Sequence, residues 1–244
     1  MGMSIAARQE LKEVYERNWP ALMKTLGPIA KQRKLSSPFL VDPDAHAYSK
    51  SPLRWMAVAQ QAREWEGTLG DHDVEGLLKT YRDFRLGYNY PKTPIVQALH
   101  ALNCLLNPEG PEDGFLWTNL VRLDEDGRRP SDSVLKNLVS VFNVLPDEIR
   151  IASPDVVVFF TGLRYDEHIE KTFCGCHIEP VSGHCRRELA VLKHPGLPPA
   201  TYRTYHPQYL RRGKKWHLIE EIACLAQEAL GGCKQRERPS GGCP

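Results

Sequence analysis

The sequence predicts an α/β fold, an α/β sandwich with a mainly parallel sheet. Two observations predict it: short apolar runs that stop abruptly at polar residues, and amphipathic helical stripes lying between those runs. Unbroken apolar runs suit strands covered by helices on both faces. Strands that alternate with helices are joined most simply by crossovers in a parallel sheet.

Residues 5–26 place Leu11, Val14, Tyr15, Trp19, Leu22, Met23 and Leu26 at three- and four-residue spacings, an amphipathic stripe. A restart of that helix is expected where Asn18 can cap and Pro20 can sit in a first turn. Residues 31–52 hold Ser, Pro, Asp and Lys without periodicity and read as a long loop, functional or mobile. "LRWMAVAQQ" (53–61) reads as a buried strand whose two terminal amides open into a polar loop. Helices are expected at 73–86 and 93–107, the second with Ile95, Val96, Leu99, Leu102, Leu105 and Leu106 on one side. "GFLWTNLVRL" (114–123) reads as the second strand, ending near Asn119. After the turn "DEDGRRPSDS", Ser131 can cap a helix with Leu135, Leu138, Val139 and Phe142 inward, and a short helical turn restarts at Pro146. "PDVVVFFTG" (154–162), β-branched and aromatic between a proline and a glycine, is the third strand, and a helix follows from Tyr165. Short strands come next, around 188–193 and 201–205. A last helix over 214–230 carries Trp216, Ile219, Ile222, Ala223 and Leu225 in its core stripe. The organisation is therefore an N-terminal helix and loop (1–52) packed on the core, an α/β domain (53–230), and a polar Gly/Pro-rich tail (231–244) expected to be disordered.

The formal charge of the 244-residue chain is +2, so any attraction to DNA or an anionic membrane has to be local. Seven cysteines make an odd set for a disulfide framework, and "MGMSIAARQE" lacks the apolar core of a secretory signal, so reduced thiols and a cytoplasmic location are expected. No stretch reaches the roughly 18–20 apolar residues of a membrane span, and a monomer without membrane contact is expected. No G-x-G-x-x-G follows a strand and no glycine-rich loop ends in Gly-Lys-Ser or Gly-Lys-Thr, which removes the usual signatures of dinucleotide and triphosphate chemistry.

"CGCHIEPVSGHC" offers Cys174, Cys176, His177, His184 and Cys185 as soft ligands. Zinc would accept four of them, but the C-x-C start is not the usual C-x2-C knuckle and no distant second pair completes it. Free thiols and surface histidines are the reading, with no metal or other cofactor expected.

In open parallel sheets ligands sit outside the carboxyl ends of the strands. That rule selects Gln60 to Trp65, Asn119 to Arg122, Thr161 to Tyr165, and His206 onward. A histidine beside proline is often only a turn residue, but His206 has company: Arg203, Arg211, Arg212, Lys214 and Lys215 are interleaved with Tyr202, Tyr205, Tyr209 and Trp216. No acid occurs from Thr201 to Ile219. Cations mixed with flat rings suit phosphate contacts and base stacking, and a helix beginning after His206 would aim free amides at an anion.

Four motifs in this order resemble the uracil-DNA glycosylase superfamily, particularly outlying branches whose first motif reads like Gly-Gln-Glu/Gln-Thr-Asn-Gly-Trp. Here that motif stands as "AQQAREW", Ala59 to Trp65, followed by "WTNL", "PDVVVFFTG" and "YHPQYL". The likeness covers about residues 53–230 and implies a three-layer α/β/α sandwich with a central, mainly parallel four-stranded sheet. It implies a monofunctional DNA glycosylase, a hydrolase that cuts the N-glycosidic bond of a nucleotide flipped out of double- or single-stranded DNA and leaves an abasic site. His206 would donate to the pyrimidine oxygen, and Asn119 would read the base edge. Gln60 would lie against the pocket through its backbone, Trp65 or Phe115 would stack on the base, and Gln61 or Glu64 would handle the water. Leu210 with Tyr209 would be the wedge that fills the emptied stack. Arg203, Arg211, Arg212, Lys214 and Lys215 would hold phosphates.

The chain departs from the family at Ala59, which replaces a glycine, at Gln61, which replaces a water-handling aspartate or asparagine, and at Ala62, which replaces a proline. An amide orients water but cannot take its proton as a carboxylate does. The resemblance therefore does not carry plain uracil with it. Some outlying members act on other modified pyrimidines, including hypermodified phage cytosines, so the implied role is base excision in DNA repair or in antiviral defence. The alternatives are a catalytically silent nucleic-acid-binding module of the same fold and a hydrolase of small nucleosides.

Overall fold

A computed structural model describes residues 3–42, 47–87 and 92–231. The 232–244 part of the expected tail lies outside the described residues. The centre is a six-stranded sheet in the order β2-β1-β3-β6-β5-β4, built from β1 (Trp55–Gln61), β2 (Phe115–Val121), β3 (Val156–Phe159), β4 (His177–Pro180), β5 (Leu189–Lys193) and β6 (Ala200–Thr204). β2, β1, β3 and β6 run parallel, and β5 and β4 extend the β6 edge antiparallel.

The expected four-stranded sheet is thus corrected to six strands in a mixed sheet. β5 lies where the sequence placed a strand, but β4 carries no strand pattern. Only Ile178 of its four residues is buried, and Pro180 is tolerated because β4 is an edge strand. The other apolar runs match their strands. β1 and β3 are buried residue after residue until β1 reaches Gln60 and Gln61.

Eight α-helices complete the described residues: α1 (Met3–Arg33), α2 (Val74–Phe84), α3 (Pro94–Leu106), α4 (Asp132–Val141), α5 (Leu145–Ala152), α6 (Asp166–Thr172), α7 (Pro207–Arg212) and α8 (Leu218–Ala229). The chain leaves β1 for β2 on one side and then crosses back over β1 to β3, so successive crossovers fall on opposite faces of the sheet. Accordingly α3 packs with α7 and α8, while α1 packs with α4 and α5. None of the helices is long and apolar enough to cross a membrane.

One reading of the N-terminal region is corrected, and the loop that follows it proves to be buried. α1 does not restart at Asn18. Pro20 and Pro28 lie inside one continuous helix, both on its exposed side, where the carbonyl each leaves unpaired can bond water. Asn18 instead donates from Nδ2 to the Val14 carbonyl (2.8 Å). The stretch from Leu35 to Asp42, expected as loop, is buried throughout. Its backbone is stitched to the strand ends by Ser36 N–H to Asp124 O (3.1 Å), Ser37 N–H to Gly67 O (3.1 Å) and Phe39 N–H to Arg122 O (2.7 Å). In α3, Leu105 is 39% exposed and does not share the inner side expected of it.

A polar network fastens these parts from inside. Arg122 and Glu148, both nearly inaccessible, form an ion pair (Nη2 to Oε2, 2.6 Å). Glu148 also accepts from the Tyr15 hydroxyl (2.6 Å) and from Thr118 Oγ1 (3.0 Å), and Tyr15 accepts the Val41 N–H (3.1 Å). One carboxylate therefore joins α1, β2, α5 and the buried 35–42 stretch. Glu148→Ala leaves Arg122 as an uncompensated buried charge and is expected to cost about 3–5 kcal/mol in urea unfolding. The paired change Arg122→Met with Glu148→Leu is expected to recover most of that loss, because it removes both charges together.

Candidate functional site

At the carboxyl ends of β1 and β2 lies a cleft of about 880 Å³, a size that holds a nucleoside-like ligand. Gln60, Gln61, Glu64 and Trp65 from the first strand end, Asn119 from the second, and His206 from the β6 end all line it. Residues far apart in sequence thus meet where the strand-end rule placed them.

β-Sheet register explains which side chains arrive. Ala59 pairs with Asn119 and Gln61 with Val121, and partners in a parallel pair share a face, so Gln61 and Asn119 belong to one face. Asn119 is 3% exposed, and its amide makes no hydrogen bond to the described residues. An enclosed amide with free donors and a free acceptor at a cleft wall is equipped to read a hydrogen-bonding edge. Gln60 lines the cleft but its side chain faces the other way and spends its Nε2 on the Thr161 carbonyl (2.9 Å).

Trp117 shares the Asn119 face two residues earlier, and with Trp65, Phe84 and the buried Phe39 it forms an aromatic wall. Phe39 and Trp65 have centroids 4.3 Å apart, and Phe84 and Trp117 5.4 Å. The buried indole nitrogens of Trp65 and Trp117 have no hydrogen-bond partner among the described residues. Trp65 therefore arrives in the cleft but Phe115 does not. Phe115 lies four residues before Asn119, roughly 13 Å up the strand at ~3.3 Å per residue. There it is fully buried and stacked on Trp55 (5.0 Å).

Glu64 stands in a tight turn and is exposed at the cleft. Its backbone is left-handed (φ 49°), as is that of Glu66 (φ 42°), a strained form for side chains other than glycine. Buried Asp124 compensates by accepting the Glu64 N–H (2.5 Å) and the Gly127 N–H (2.7 Å). Gly127 is favoured by its left-handed φ of 69°.

Gln61 is held from behind. Its Oε1 accepts the Tyr165 hydroxyl (2.5 Å), and Tyr165 reaches it from the turn after β3, where Gly162 (φ 70°) redirects the chain. Burial pushes the Tyr165 phenol up, so it stays a protonated donor.

His206 precedes α7, and its Nδ1 accepts the Gln208 N–H (3.2 Å). That bond leaves Nε2 as the protonated nitrogen of the neutral ring, a donor. Burial holds the imidazole below its usual value.

The cationic segment is partly corrected. Arg203 is fully buried and ion-paired with Asp166 (Nη2 to Oδ2, 3.0 Å), so it cannot hold a phosphate. Lys215 pairs with Glu188, an acid that the local sequence did not contain. Leu210 is fully buried and cannot be a wedge, whereas Tyr209 is 47% exposed beside Tyr205. Arg211 lies over the Trp216 ring (5.6 Å) and touches Gln97, and Arg212 and Lys214 are exposed. The expected anion site at the start of α7 is also absent, because Pro207 has no N–H and those of Gln208, Tyr209 and Leu210 are spent on His206.

Among the described residues no three His, Cys, Asp or Glu side chains converge as a metal-holding group. Cys176 is buried, and burial pushes its thiol up to about 11, while Cys174 and Cys185 are exposed.

Position made Tyr165 and Trp117 findable, the first at a selected strand end and the second by the two-residue period from Asn119. Phe39 and Asp124 gave no such signal.

No protein-family model matches the chain, and no curated protein matches it.

The His206 ring should titrate below about 6.5, its unfolded value, with Nε2 protonated above that pH; nitrogen-resolved NMR checks both. Between the folded and unfolded values only the unfolded chain takes up the proton. Stability from this group is therefore complete above about pH 6.5 and falls as the pH drops toward the folded value. His206→Asn should flatten that part of the unfolding profile.

Proposed function

We propose that the chain is a monofunctional DNA glycosylase that hydrolyses the N-glycosidic bond of a flipped-out modified or damaged pyrimidine. The observation that carries this reading is the pairing, in one cleft, of an enclosed unpartnered Asn119 amide with a neutral His206 whose Nε2 is a donor. The resemblance in the sequence supplies the same two roles.

Cleavage of the bond between the base and C1′ leaves positive charge on the sugar and negative charge on the departing base. Asn119 pairs with the base edge, and His206 donates to the base oxygen where the negative charge gathers. Trp65 and Trp117 offer faces for stacking. A water adds its oxygen to C1′. Glu64, which lines the cleft with Glu66 and Asp83 and stands closest in sequence to Gln61, takes the water's proton, and that proton ends on the departing base. Outside the cleft, Tyr209 fills the emptied position in the base stack, while Arg211, Arg212 and Lys214 meet phosphates. The frame for this is the three-layer α/β/α arrangement of the superfamily, in a cytoplasmic monomer acting in repair or in defence against phage with modified cytosines.

A second reading, a DNA-binding module without turnover, is favoured by one observation. The strand-end position that would hold a carboxylate is Gln61, and its carbonyl is already bonded to Tyr165.

Genomic and synthetic DNAs with different base modifications, scored for abasic sites, separate the two. The glycosylase forms abasic sites on at least one DNA, and His206→Ala or Asn119→Ala lowers the rate about 10²–10³-fold. Salt-sensitive binding with no abasic product on any DNA would replace it with the second reading.

A further inference from the structure

Taking the cleft as the substrate site proposed above, we propose that Tyr165 is a positioning residue that turns the Gln61 amide so that its NH2 group meets the substrate. Gln61 then donates to an acceptor oxygen of the flipped nucleotide and does not take part in handling the water.

The geometry of the contact sets its direction. The Tyr165 hydroxyl, a donor, meets Gln61 Oε1, the acceptor end of the amide. Tyr165 is 5% exposed, and its hydroxyl has no other partner among the described residues. If the amide were reversed, the phenol proton would be buried without an acceptor, which costs about 1–3 kcal/mol. The planar amide then sends its NH2 away from Tyr165, and that nitrogen has no partner among the described residues.

The anchor itself is rigid. The Arg129 guanidinium lies 5.9 Å from the Tyr165 ring centroid and 2.9 Å from His168 Nε2, and the His168 ring meets the Tyr165 ring edge-on at 5.8 Å. On the sheet Gln61 shares the face of Asn119 one step nearer the strand end, so both amides address the same ligand.

A donor held there can meet a carbonyl of the base or an oxygen of the adjoining phosphate. The two sources share their chemistry and differ in the test. Oligonucleotides with one modified pyrimidine are compared with the same sequences carrying a neutral methylphosphonate on the 5′ side of that nucleotide. If the acceptor is the phosphate oxygen, the methylphosphonate removes the difference between wild type and Gln61→Ala. If it is the base, that difference persists.

Gln61→Glu keeps the shape and the Tyr165 bond but replaces the donor by an acceptor. The expected result is a KM at least about tenfold higher with kcat not increased. A rise in kcat would overturn the proposal, because a carboxylate would then be doing better what the amide had done for the water. Tyr165→Phe should raise KM severalfold, and the rise should vanish in a Gln61→Ala background. Side-chain NMR of the free protein decides the positioning directly. The Gln61 side-chain carbonyl carbon, deshielded while its oxygen accepts the phenol proton, should move upfield in Tyr165→Phe. Identical spectra in the two proteins would sink the proposal. This measurement needs no turnover, so absence of abasic product on every DNA would defeat the glycosylase reading and leave the fate of the Tyr165 assignment to the spectra.

Discussion

The buried pair of Arg122 and Glu148 is the constraint on which the cleft's shape depends. Taking two charges out of water is costly, and this pair offsets the cost by saturating its hydrogen bonds with Tyr15 and Thr118. Thr118 immediately precedes Asn119, and Arg122 follows it by three residues, so the pair grips the strand on either side of the enclosed amide. Tyr15 passes the constraint to Val41, two residues beyond Phe39 in the aromatic wall. A core interaction thereby fixes both a polar and an apolar side of the cleft.

A second carboxylate plays the same part nearer the solvent. Asp124 binds the amide of Glu64 and that of Gly127, and the Ser36 hydroxyl accepts its own N–H (2.9 Å). Left-handed backbone at Glu64 and Glu66 persists because these bonds hold the turn in place. The cleft is therefore lined by loops but framed by buried acids, and its mouth is as well anchored as its floor.

Much of the fold was legible because parallel strands and amphipathic helices leave strong periodic signals. β1, β2, β3 and β6 lie where apolar runs end, and Asn119 and His206 were findable from strand ends alone. What escaped the sequence depended on contacts between distant residues. Arg203 looked like part of a basic surface until the fold placed Asp166 against it, and Lys215 until Glu188 did. Leu210 sits beside Tyr209 in the chain, yet the helix turns one inward and the other outward. Phe115 and Trp117 share a face, and only distance along the strand separates the residue in the core from the one in the cleft. Continuous α1 and the buried 35–42 stretch were hidden for a related reason, since exposed prolines and aperiodic sequence say nothing about what packs beside them.

The aromatic wall also makes the cleft an optical reporter. The chain has five tryptophans, and two of them, Trp65 and Trp117, stand where a ligand would lie. Their emission responds to what stacks on them, so occupancy of the cleft becomes visible without a label and before any bond is broken.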